Sequence, residues 1–131
     1  TSNHGVFFLN SAVRYEDIND GSAHTLFVGE KLPDGENDLG WMSGTRWTLR
    51  NTGLGVNAET HARGRGRYGN RAPDEPSSPN VVVGGFDSPH PGGVIFAFGD
   101  GSVQFISESV AQETLQQLAH RADGKLLSGE Y

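Results

Sequence analysis

No cysteine occurs in the chain, which excludes a disulfide framework and any thiolate metal site. Large apolar residues are scarce: the hydrophobic fraction is 34%, too low for a bundle in which every helix turns a face inward. No apolar run approaches the about 18 residues of a membrane-spanning helix, so no membrane partner is expected for these residues, and no signal-peptide pattern is visible. Basic residues are outnumbered, with 10 Lys and Arg against 16 Asp and Glu for a net charge of −6. A general nucleic-acid partner, which needs a basic face, is thereby excluded. The acidic balance suits an aqueous space and favours cations.

Catalytic patterns are missing as well. His4, His24, His61, His90 and His120 are scattered, without the His-x3-His or His-Glu-x2-His spacing of a zinc hydrolase. No Gly-x-Ser-x-Gly elbow occurs, and the glycine pairs Gly53/Gly55 and Gly64/Gly66 follow no clear strand and open no helix, so they make no nucleotide cradle. Without a nucleophile, base and orienting group that can be named from spacing, an enzyme is not expected.

What abounds is glycine, 19 of 131 residues. A chain of this length holds one domain with a single modest core, here residues 1–131, and the glycine favours short strands joined by many turns. The clearest such unit is Val94 to Ile106. Two apolar runs, Val94–Phe98 and Val103–Ile106, flank Gly99-Asp100-Gly101-Ser102, and Asp-Gly between such runs is a strong hairpin signal. A two-residue type I′ turn at Asp100-Gly101 places Phe98 opposite Val103 and Phe96 opposite Phe105. Val94, Phe96, Phe98, Val103 and Phe105 then share the core face.

Elsewhere, Val6–Leu9 and Thr25–Val28 read as strands, Tyr15–Ile18 as a helical turn, and Asn19–Ser22 as a turn. Trp41–Leu49 holds one or two strands, and Val81–Val83 another. Residues 51–80 are poor in apolar side chains and rich in Gly, Pro, Ser, Asn and Arg, a long irregular excursion. A helix follows the hairpin, capped by Ser109 with Gln112 in the reciprocal position. Val110, Ala111, Leu115, Leu118, Ala119 and Ala122 form its apolar stripe, Asp123-Gly124 end it, and Leu126 and Leu127 tuck back onto the sheet. The expected fold is α+β: an antiparallel sheet of short strands packed on one C-terminal helix, rich in loops.

Two stretches carry a resemblance. Ser88-Pro89-His90-Pro91-Gly92-Gly93, the apolar strand, Asp100-Gly101-Ser102-Val103 and Phe105-Ile106-Ser107 together resemble the H-x9-DG signature of the prepilin-type processing-associated domain. That domain closes pilin-like proteins of planctomycetes, which are similar to type II secretion pseudopilins. The stretch from Ile18 to Glu30 resembles a second family segment, with Asp20, Gly21, Thr25, Gly29 and Glu30 matching and Ala23 and His24 departing from the usual Ser-Asn. The resemblance implies a pilin-like globular head, exported and displayed at the cell surface, in the periplasm or outside the cell. It implies other copies or pilin-like subunits as partners, no catalysis, and an N-terminal anchor helix that these residues lack.

The candidate chemistry is sparse. His90 and Asp100 lie at opposite ends of one strand, which keeps them apart at about 3.3 Å per residue. They act together, with Glu30, only through another element folded over the hairpin or across copies; otherwise they shape turns. Asp34, Glu36, Asp38 and Asp100 are the candidate ligands for calcium, although no EF-hand spacing is present, and some pseudopilins of type II secretion hold calcium in a C-terminal loop. Trp41 and Trp47 could stack on a sugar ring, and Arg65 and Arg67 lie in a basic cluster suited to an anionic partner. These four residues define the alternative to a structural head, an extracellular module that binds a glycan or another solute.

Overall fold

The computed structural model describes residues 3–32, 48–58, 84–125, 127, 129 and 131. Three strands form one antiparallel sheet: β1 (Leu26–Gly29), β2 (Gly93–Phe98) and β3 (Val103–Ser107), in that spatial order. The helix α1 (Gln112–Leu118) follows, and two single 3-10 turns, Tyr15–Asp17 and Ser22–His24, precede β1. The architecture is the expected α+β: a small sheet, one C-terminal helix and much loop.

The core is one apolar cluster. Leu26, Val94, Phe96, Phe98 and Ile106 from the sheet meet Leu115 and Leu118 from α1 and Val56 from the loop before the hairpin. Phe86, Val110, Leu127 and Tyr131 pack against its margin, with the Phe86 ring edge-on to Phe96 at 4.8 Å between centroids. Leu127 thus returns to the sheet as the sequence implies. Central β2 contributes three of the cluster's eight side chains, because a middle strand with alternating large residues buries one whole face.

The hairpin forms where expected, but its register is displaced by one residue. Ala97 pairs with Val103, Ile95 with Phe105 and Val94 with Ile106. The loop has three residues, Gly99-Asp100-Gly101. The Gly101 N–H donates to the Phe98 carbonyl (3.0 Å), and the Phe98 N–H to the Ser102 carbonyl (2.9 Å). Only Gly101 has a positive φ (+86°), so the turn is an ordinary one closed by a left-handed glycine, the common three-residue alternative to the primed turn. A one-residue slip reverses the faces of the second strand. Ile106 therefore enters the core, while Val103 (65% exposed) and Phe105 (49%) face outward. The placement of Val103 and Phe105 in the core is thus corrected.

Three further expectations change. Val6–Leu9 is not a strand, although Val6 is buried; Leu9 is exposed, and the chain turns there through a Ser11 N–H to Phe8 carbonyl bond. The helix is shorter than its apolar stripe, running from Gln112 to Leu118. Its N-cap is Ala111, without a side-chain cap, because the Ser109 hydroxyl pairs with that of Ser107 (2.7 Å) and the Gln112 side chain donates to the Thr52 carbonyl. Gly124 keeps the expected left-handed conformation (φ +67°), five residues beyond the Ala119 C-cap. The strand expected at Val81–Val83 and most of Trp41–Leu49 lie outside the described residues.

Candidate functional site

Apart from the Asp100-Gly101 turn, the residues that carry the sequence signature gather in two places. At the far end of the β1–β2 ladder, Glu30 continues β1 by one residue. Its N–H donates to the Ile95 carbonyl (3.3 Å), while its own carbonyl turns aside to accept the Asp87 N–H (3.2 Å). That turn would orphan the Ile95 N–H. The Glu30 carboxylate replaces the lost acceptor, with Oε2 2.8 Å from the Ile95 nitrogen. The other oxygen, Oε1, lies 3.5 Å from His90 Nε2. One side chain therefore ties β1 to β2 and the His90 loop to both. Gly29, just before it, sits beneath Phe86 and Phe96, where a Cβ would lie 2.5 Å from a Phe96 ring carbon.

The His90 loop is anchored on its other side by Asn57, which is fully buried and left-handed (φ 58°). The Asn57 N–H donates to the Phe86 carbonyl (2.9 Å), and its Oδ1 accepts the Ser88 N–H (2.9 Å). Its Nδ2 reaches the Gly93 carbonyl and Glu108 Oε2, both at 3.3 Å. Ser88, also buried, accepts the His90 N–H on its hydroxyl (3.1 Å). The Ser-x-His-Pro-Gly-Gly run is thus a clamped turn. Buried polar groups of this kind are kept because each has a partner.

The second place lies around Asp20, where the segment before β1 meets the segment after α1. Its two carboxylate oxygens accept the N–H groups of Asp123 (2.6 Å) and Gly124 (2.9 Å), and its N–H donates to the Arg121 carbonyl. Gly21, next to it, has φ +90° and offers its carbonyl to the Thr25 hydroxyl (3.0 Å). Arg121 completes the knot by donating to the Asn3 and Gly5 carbonyls. It lies over the Phe8 ring, and beside it His4 and His120 stack at 4.3 Å.

Asp100 joins neither group. Its Oδ1 accepts both the Ser102 hydroxyl (2.7 Å) and the Ser102 N–H (2.9 Å). The Ser102 hydroxyl, followed by its N–H, holds the Asp100 carboxyl below the usual carboxylate range. His90 and Asp100 therefore have separate partners, and it is Glu30 that reaches His90. Among the described residues no group of three or more His, Asp or Glu is arranged to hold a metal ion. The candidate ligands Asp34, Glu36 and Asp38 and the candidate binding residues Trp41, Trp47, Arg65 and Arg67 lie outside the described residues.

Asn57 and Arg121 escaped the sequence reading. Asn57 sits in Gly-Val-Asn-Ala, a context without any turn dipeptide, and Arg121 looks like an ordinary charge near a helix end. Only the fold brings Asn57 to Ser88 and Arg121 to Asn3. What the arrangement can do chemically is restrict the chain: its carboxylates and amides bind the protein's own backbone.

No curated protein and no solved structure matches the chain. The family described as "Protein of unknown function (DUF1559)" matches residues 1–113, a span that includes Asp20, Glu30, His90 and Asp100. On a match of that extent, the chain belongs to the DUF1559 family.

Proposed function

We propose that this domain is the non-catalytic structural head of an exported, pilin-like subunit, of the pseudopilin kind, acting through surface assembly or secretion. The observation that carries the reading is where the signature residues spend their polar atoms. Asp20 is used on two backbone N–H groups, Glu30 on Ile95 and His90, and Asp100 on Ser102. A catalytic set converges on a shared space with groups free to meet a substrate; these residues diverge and close turns. Membership of DUF1559 and the H-x9-DG run support the pilin-like half of the reading.

The test is localisation in the native cell. An epitope-tagged full-length protein is expected to be cleaved by protease added to intact cells or spheroplasts, and to co-purify with other pilin-like subunits. Protection in both preparations, with a cytosolic control equally protected, would overturn the reading. Calcium held by Asp34, Glu36, Asp38 and Asp100 is proposed with it. Thermal unfolding with calcium and with EDTA checks this, since a ligand bound only by the folded state adds about 2.7 kcal/mol at a hundredfold excess over its Kd. An unchanged Tm would remove calcium.

A further inference from the structure

We infer that β3 is a self-pairing edge, and that two copies of this chain join their β3 strands antiparallel about Phe105. Phe98 donates to Ser102, and Glu108 donates to the Gly92 carbonyl (2.8 Å), so Ser102, Gln104, Ile106 and Glu108 turn their backbone groups toward β2. Val103, Phe105 and Ser107 therefore turn theirs to the open side. The Ser107 carbonyl is taken by the Val110 N–H. The N–H and C=O of Val103 and Phe105 and the N–H of Ser107 meet no other strand among the described residues.

Edge strands are normally blunted by charge, proline, bulges or brevity. β1, the other edge, is blunted: it has four residues and a bulge between Leu26 and Val28. β3 has none of these devices. Val103–Ser107 carries no charged residue and no proline, and its pairing with β2 is regular throughout. Its outward side chains, Val103 and Phe105, are large, apolar and exposed.

The occupant follows from symmetry. A strand pairs with an identical strand when an antiparallel two-fold brings donors onto acceptors. With the axis at Phe105, Phe105 exchanges two hydrogen bonds with its counterpart, and Val103 faces Ser107 on either side. In this register the Ser107 N–H of each copy donates to the Val103 carbonyl of the other, while the Ser107 carbonyl stays with the Val110 N–H. It also sets the two Phe105 rings side by side on the outer face and makes a continuous six-stranded sheet from two three-stranded ones. Each copy offers a strand of 5 residues to the contact, far fewer than the about 20–30 residues a side of a stable interface, so the dimer is weak and concentration-dependent.

Sedimentation velocity across a concentration series tests it, with three variants. Wild type is expected to shift from monomer to dimer with concentration. Val103→Lys places a charge on the edge and is expected to raise the dissociation constant at least about tenfold, while Leu9→Lys, at an exposed site away from β3, leaves it unchanged. Because the chain has no cysteine of its own, Phe105→Cys reports the register: the axis sets its two copies at about 5.5 Å between Cα atoms, within disulfide reach, so oxidation yields a covalent dimer. A wild type that stays monomeric, a dimer insensitive to Val103→Lys, or a Phe105→Cys protein that fails to cross-link while its wild type dimerises would each overturn the inference.

Discussion

Glu30 offers a quantitative check on what the signature residues do. Its carboxylate makes two contacts of unequal worth. The bond to the Ile95 N–H is 2.8 Å long and partly buried, and a hydrogen bond to a charged group contributes about 1.5–3 kcal/mol. The contact to His90 is 3.5 Å between side chains 51% and 32% exposed, where an ion pair contributes only about 0.2–1 kcal/mol. Glu30→Ala should therefore cost about 2–3 kcal/mol, and His90→Ala under about 1 kcal/mol. Glu30→Gln keeps a neutral acceptor for Ile95 and should cost about 1 kcal/mol. Urea unfolding at constant m-value reads these differences as midpoint shifts, and the double variant gives the coupling, expected to be about 0.5 kcal/mol. If His90→Ala proves as damaging as Glu30→Ala, or the coupling exceeds about 1.5 kcal/mol, then the His–Glu pair rather than the strand tie is the point of the signature, and the reasoning fails.

The displaced register predicts that Phe96→Ala costs about 3–5 kcal/mol as a buried truncation while Phe105→Ala, half-exposed against Gly93, costs far less; comparable losses in urea unfolding would restore the two-residue turn. Asp20→Ala should free the Asp123 and Gly124 N–H groups, seen as a rise in their amide exchange rates together with a loss of about 1–3 kcal/mol. Asp100 is stabilised in its charged form by Ser102, so its contribution is complete above the ordinary carboxylate value and disappears as pH falls through the depressed one. Carboxyl NMR titration should show this low value, and Ser102→Ala should return it toward normal.

The elements were legible in the residues: both strands of the hairpin, the strand ending at Gly29 and the helix containing Leu115 and Leu118 all lie where apolar spacing puts them. Which side of β3 faces inward was not. Gly99-Asp100-Gly101-Ser102 serves a two-residue primed turn or a three-residue turn with a left-handed glycine. The two differ by one residue in register and so by a whole face. The choice falls to packing, since Ile106 fills the space against α1 that Phe105 would otherwise have to occupy. The tie between Glu30 and His90 was equally hidden, because the 59 residues between them carry no local mark of the crossing. Short-range patterns report turns and strands, whereas Asn57 and Arg121 act across separations that no pattern spans.

The strand order has a consequence for how the protein is made. Among the described residues β1 pairs only with β2, and Phe98 lies 72 positions after its partner Leu26. At about 5–20 residues per second of synthesis, the apolar Leu26-Phe27-Val28 stretch leaves the ribosome roughly 4–14 s before its partner is made. During that interval the hairpin, the core and the Asn57 clamp do not yet exist. Asp20 waits longer still, for Asp123 and Gly124. Native pairing is therefore back-loaded: the first half of the chain stays without its partners until β2, β3 and α1 have been made and close the structure from its C-terminal end.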